Sequence, residues 1–341
     1  MKKYYLLITS LLLSLYSYDS KAQYDDFDPG KIIAGAQADI NYLAGGYLKP
    51  FGNALGIGLN NGWYQTAKPH KLGRFDLMIT PSFVFVPSSD RNFTINNADL
   101  TQLELVNGTS AEAPTVFGTN SAGPTLRFKD DQTTTFNTPN GSGIGFLPLP
   151  MAQLGVGLIK NTDLIIRYVP TVDIGDDGEV GMFGFGIKHD ILQWIPGDKV
   201  IPFDASVFFG YTSVNVNMDL DDGSGNDDQE AVIKSKGYTF RALVSKKLLF
   251  FTPYVGLGYN SAQTDINVNG TYSYETQTAP GLPPVTTSIK DPVALTADDA
   301  SGFVGNVGFR LKFLWVMAFS ADYTFGAYSS ATAGLGFSVD F

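Results

Sequence analysis

The end of the chain constrains the fold more than any other stretch. Residues Ser329 to Phe341 read S-S-A-T-A-G-L-G-F-S-V-D-F. Ala331, Ala333, Leu335, Phe337, Val339 and Phe341 are apolar, whereas Ser330, Thr332, Gly334, Gly336, Ser338 and Asp340 are small or polar. Successive side chains of a strand alternate between its faces, so this is one strand with an apolar face and a small, polar one.

Such a strand ending on phenylalanine resembles the terminal strand of bacterial outer-membrane β-barrels. That resemblance implies an assembly signal at Phe337 and Phe341, read by the barrel assembly machinery. The start of the chain agrees. Met1-Lys2-Lys3 is basic, Leu6 to Leu15 is apolar but too short to span a bilayer, and Ser20-Lys21-Ala22 fits a cleavage site. Residues 1–22 therefore read as a signal peptide cleaved near Ala22. No cysteine is present, which excludes a lipid-anchor cysteine and disulfides. The formal net charge of -10 argues against nucleic acid as a partner, because phosphate binding needs a basic face.

After the signal peptide, Asp28-Pro29 suits a helix start. Ile33, Ala36, Ile40, Leu43 and Tyr47 then recur at helical spacing, and Gly45-Gly46 and Pro50 suggest its end. Residues 23–50 are expected to form a short amphipathic helix, plugging a lumen or lying under its periplasmic mouth. Residues 51–341 are expected to form the barrel.

Strand signals fill the rest. Phe75, Leu77, Ile79, Phe83 and Phe85 alternate with Asp76, Met78, Thr80 and Ser82, and Tyr238, Phe240, Ala242 and Val244 with Thr239, Arg241 and Ser245. Five further segments share that sense, and about eleven strands are legible, whereas a closed antiparallel barrel calls for an even number. Ser88 to Phe146 holds another candidate pair, around Leu100–Val106 and Thr125–Lys129. The expected fold is all-β: a transmembrane antiparallel barrel of 12–14 strands with a short N-terminal amphipathic helix. Connections carrying Lys68, Lys160, Lys188, Lys246 and Lys312 are short and basic, and those around Asp176, Asp219–Glu230 and Asn269–Asp299 are long and acidic. Short periplasmic turns and long external loops give the orientation.

Two stretches carry a family resemblance. Ala44 to Lys71 contains Y-L-K-P-F-G-N-A-L-G-I-G-L-N-N-G-W-Y-Q-T-A-K-P-H-K, and Gly186 to Thr212 contains G-I-K-H-D-I-L-Q-W-I-P and then I-P-F-D-A-S-V-F-F-G-Y-T. Both resemble an uncharacterised outer-membrane β-barrel family of the Bacteroidota. More distantly, a helix ahead of the strands is similar to the fatty-acid-transporter type of barrel. That similarity implies a lumenal hatch and passage of hydrophobic compounds, and carries over no motif.

Catalytic chemistry is not indicated. The two histidines, His70 and His189, fall in basic turns, with nothing to place them beside a nucleophile or in a metal site. No catalytic residue, cofactor or metal ligand is expected. The acidic run from Asp219 to Glu230 breaks the ligand register of calcium loops and reads as a solvated loop. Ile191, Trp194 and Ile195 suit a membrane-interface anchor against outer-membrane lipid, with Lys188 and Lys199 reaching headgroups. Arg167, Arg241 and Arg310 should meet Asp76, Asp173, Asp204, Asp322 and Asp340 in a charged lumen network, since unpaired buried charges are costly. The function expected is passive passage of a small solute, hydrophobic ones included. The alternative is a non-transporting barrel that anchors or docks an envelope or secretion-system partner.

Overall fold

A computed structural model describes residues 37–341, except 131–132, 134, 174–177, 197–199, 221–228, 277–284, 314–315 and 340–341. The start of the expected helix (Ile33 and Ala36), the signal peptide, Lys199, most of the acidic run, Asp340 and Phe341 lie outside the described residues.

Ten antiparallel strands close into a barrel. They are β1 (Phe75–Ile79, resuming as Ser82–Phe85), β2 (Ala152–Leu158, preceded in line by Phe146–Leu149), β3 (Thr162–Asp173), β4 (Gly178–Asp190) and β5 (Asp204–Asp219). They continue with β6 (Glu230–Ser245), β7 (Phe251–Asn269), β8 (Gly302–Phe313), β9 (Met317–Phe325) and β10 (Ser330–Val339). Closure comes from β1 on β10, with Leu77 opposite Phe337. The expected 12–14 strands were too many. The candidate pair around Leu100–Val106 and Thr125–Lys129 is not in the wall: Leu103–Leu105 pairs with Thr125–Phe128 in a separate three-stranded sheet.

The barrel is apolar outside and polar within. Phe303 is 86% exposed and Leu257 71%, whereas Thr239, Arg241, Asn260 and Ser320 are buried. That arrangement suits lipid outside and a filled lumen inside. In the long strands β5, β6 and β7 the pattern inverts partway along. The outward series Val207, Phe209, Tyr211 gives way to Ser213, Asn215, Asn217, and Val244, Phe240, Tyr238 gives way to Lys236, Lys234. On the inner face of the same projection, Ile233 and Ile266 are buried and Val216 and Met218 pack beside them. Three tyrosines, Tyr211, Tyr238 and Tyr259, mark the changeover, and the first two rings lie 4.8 Å apart. An aromatic girdle is the usual edge of an apolar membrane band.

Helix α1 (Gln37–Gly58) lies inside the wall. It runs past the expected stop because Gly45 and Gly46 do not end it, and Pro50 is accommodated within it. Its glycines serve close approach instead: a Cβ on Gly52 would come within 2.7 Å of Ala297, and one on Gly56 within 2.7 Å of Ala262. Leu48, Phe51, Ala54, Leu55 and Ile57 join the apolar core of the projecting strands. The first barrel strand therefore begins at Phe75 rather than near residue 51.

Above the wall, the excursion between Val86 and Gly145 carries its own core of Ile95, Leu103, Leu105 and Leu126, against which Tyr42 and Leu43 pack. Asp39 fastens α1 to it, accepting hydrogen bonds from the backbone N–H of Thr101, Gln102 and Leu103 and from the Thr101 hydroxyl. Tyr47 donates to Asn140 O of the same excursion. The helix thus starts at the long-loop end, and the chain then descends through the lumen to the basic turns.

Candidate functional site: an occupied lumen and a seam in the wall

Below α1 the chain fills the lumen with Leu59 to His70. Arg167 of β3, fully buried, stacks its guanidinium 3.6 Å from the Trp63 ring centre. It donates to Leu59 O at 2.9 Å, to Asn61 O, and to the Gln153 side chain at 3.0 Å. Trp63, Tyr64, Phe208, Leu243 and Tyr254 form a buried cluster at this level. The sequence could not show that Arg167 would be satisfied by backbone carbonyls and an indole face rather than by a carboxylate.

The expected charge pairing is realised only in part. None of Arg167, Arg241 and Arg310 reaches a carboxylate at ion-pair distance among the described residues. Tyr64 donates to the Asn306 side chain at 2.8 Å, and Tyr254 donates to Asp322 at 3.0 Å. Among the described residues, Nε and Nη1 of Arg241 and Nε and Nη2 of Arg310 are buried with no hydrogen-bond partner. Asp204 pairs with Lys68 at 3.4 Å. Asp173 is exposed at the end of β3, outside the lumen. It stands there because the register shift between Val169 and Val172 inserts one extra residue and reverses the alternation, placing Asp173 opposite Glu179 on the outward face.

A group the sequence did not single out closes the basic end. His70 Nδ1 is 3.0 Å from Asp163, its Nε2 3.3 Å from Asp76, and Lys188 Nζ 2.9 Å from Asp163. Burial works against the charged ring, but the bonds from Asp163 and Asp76 outweigh it and raise the His70 pKa to about 9. Lys188, expected at headgroups, is turned inward and also reaches Thr66 O at 3.3 Å. The strand's parity dictates this, since Lys188 shares the inner face with Gly186 and Gly184. His189 points the other way and accepts from Trp194 Nε1 at 3.0 Å. Trp194 and Ile195 stand largely exposed on the Leu192–Trp194 turn, with Ile191 less so.

Among the described residues, the wall is incomplete in one place. Phe146–Leu149 pairs with Ser82–Phe85 on one side only, and β3 beyond Arg167 pairs only with β4. Hydrogen-bond parity explains why. Thr80 N donates to Met151 O and Gly157 N to Arg74 O, so odd residues of this line bond towards β1 and even ones face β3. Pro148 and Pro150 are even, and each removes the N–H that would have continued the ladder to β3. Across the seam Pro170 sits within the register shift of β3. Outside it stand Phe83 and Phe146, rings 5.8 Å apart, and the exposed Tyr168. Directly behind it Leu59, Met151, Met182 and Val214 form a buried apolar cluster with Val169 beside it. A group of three or more metal-binding side chains is absent among the described residues.

Several solved outer-membrane barrels resemble this fold. The translocator domain of the autotransporter NalP from Neisseria meningitidis is 11% identical, with 90% of this chain and 100% of that chain covered and a TM-score of 0.28. The Pseudomonas putida toluene transporter TodX is 10% identical, with 79% and 90% covered and a TM-score of 0.24. A Pseudomonas aeruginosa FadL homologue is 11% identical, with 78% and 89% covered and a TM-score of 0.22. No curated protein matches the chain. Residues 1–339 match one family model, and the chain belongs to the Family of unknown function (DUF6588).

Proposed function

We propose that this protein is an outer-membrane barrel through which small hydrophobic solutes pass, closed along its axis by its own N-terminal segment and leaving sideways through the seam. The seam carries the reading: a stretch of wall without ladder pairing, set in the apolar outer band and backed by Leu59, Met151, Met182 and Val214. Open backbone edges are tolerated at membrane depth only where something compensates. Here prolines remove donors from one edge, and apolar side chains line the space behind it. Ions would find no such welcome, because the segment from Leu59 to His70 fills the lumen, with Trp63 packed between Arg167 and the wall glycines Gly186 and Gly210.

A proteoliposome assay tests this. Transfer of a fluorescent aliphatic probe should be faster than through protein-free vesicles, while ion conductance stays near zero. Replacing both prolines (Pro148→Val with Pro150→Val) restores two donors and should slow transfer about tenfold, the rate equivalent of one hydrogen bond of about 1.4 kcal/mol. Transfer no faster than in empty vesicles would sink the reading.

The second reading is a docking platform without transport. The anchoring of α1 to the external excursion through Asp39 favours it, and a silent, impermeable barrel would support it.

A further inference from the structure

We infer that the outer wall above the tyrosine girdle carries a saccharide site, and that its occupant is the sugar headgroup of an outer-leaflet glycolipid. The projecting parts of β4 to β7 enclose a concave cavity of about 390 Å³ on their outward face. Every lining residue of these strands has outward parity, on the same side as Phe183, Tyr211, Tyr238 and Tyr259 but further along each strand.

The lining chemistry is that of hydroxyl recognition. Asn217 donates to Glu179 at 3.0 Å and Asn269 to Glu230 at 2.9 Å, each pair standing directly across from one strand to the next. Each carboxylate is thereby held in place while its second oxygen remains available to accept. Asn215 and Asn267 add an amide donor and acceptor apiece. Val232, buried and apolar, offers a patch for the C–H face of a ring, and Gly181, across β5 on the far side of the cavity, leaves room for it. Lys234 at the rim supplies one exposed cation, able to meet a headgroup phosphate.

Position selects the source. The cavity opens on the lipid side of the wall, and Lys236 alone separates its Lys234 from girdle Tyr238 on the outward face of β6. A lipid whose chains lie against Phe240 and Phe209 would bring its headgroup to this height. A ligand arriving through the lumen would not meet it.

The test uses the full mature protein in phospholipid nanodiscs, with and without lipopolysaccharide, read by amide hydrogen exchange over residues 213–217, 230–234 and 265–269. Lipopolysaccharide should slow exchange there and not in the Leu103–Leu105 sheet. The double substitution Asn215→Ala with Asn267→Ala removes one exposed and one half-buried amide whose side chains make no wall hydrogen bond among the described residues, and should weaken that protection about tenfold while leaving the melting temperature unchanged. Equal protection in the variant, or none from lipopolysaccharide, overturns the site. Free core oligosaccharide is the third arm. If it protects phospholipid-only discs as well as lipopolysaccharide does, the assignment to a membrane glycolipid is overturned.

Discussion

Arg167 and Trp63 are in face contact, guanidinium to ring centre 3.6 Å, with the arginine fully buried. This contact holds the chain that follows α1 in the lumen, because the same guanidinium bonds the carbonyls of Leu59 and Asn61. Arg167→Leu leaves the Asn61 carbonyl without that donor, at about 1–3 kcal/mol, while Leu59 O keeps its bond from the Thr212 hydroxyl at 3.2 Å. The expected outcome is a lower unfolding midpoint together with a new ion leak in planar bilayers. Arg167→Lys should restore little, since a lysine cannot reproduce the planar fork or the stacking. A destabilised barrel that stays electrically silent would show that other residues hold the segment in place.

The basic end of the lumen should loosen in alkali. His70 titrates at about 9 in the folded protein, above its ordinary value of 6.5. A raised folded pKa means that its contribution is fully present below about 6.5 and is lost as pH rises through about 9. Unfolding midpoints of the wild type should therefore fall across that window, and those of His70→Gln should fall less. Parallel pH profiles for the two would refute the assignment. Asp163 also meets Lys188 at 2.9 Å, so some of the cluster should survive loss of the imidazole.

Helix α1 fits its groove through glycine. At Gly52 an added Cβ would crowd Ala297, and at Gly56 it would crowd Ala262. Gly52→Val or Gly56→Val should cost about 1–3 kcal/mol through overpacking. Protease cleavage of the excursion between Val86 and Gly145 should rise in parallel, because Asp39 and Tyr47 tie that excursion to the helix. Unchanged cleavage would mean that the excursion is held by its own core around Ile95 and Leu126.

Much of this was legible in the sequence, and the misses have physical reasons. Alternation in Phe75–Phe85 and Tyr238–Val244 reports an inside-out wall directly, since strand side chains have a period of two. Strand number was not legible, because short strands of the excursion, such as Leu103–Leu105 and Thr125–Phe128, carry the same local signal as strands of the wall. Helix length was misjudged because Gly45-Gly46 and Pro50 read as a stop. The wall packs closely enough on α1 to override propensity. The partners of Arg167 are backbone atoms of Leu59 and Asn61, and no residue pattern announces those. The seam was partly visible, as prolines two apart in a strand, but its meaning depends on which neighbour each N–H faces.

The inversion along β6 yields a depth-dependent prediction. Phe240 and Lys234 share the outward face, yet they lie on opposite sides of Tyr238. A lysine in the apolar band faces hydrocarbon and should cost about 2–4 kcal/mol, whereas beyond the girdle it faces water or headgroups and costs about 0–1 kcal/mol. Phe240→Lys should therefore sharply lower folding into lipid vesicles, and Asn267→Lys, outward on the neighbouring strand but beyond Tyr259, should fold almost as the wild type does. In detergent micelles, which adapt to the protein surface, the gap between the two should narrow. Equal losses in vesicles would place the membrane edge elsewhere and would remove the basis for reading the three tyrosines as its boundary.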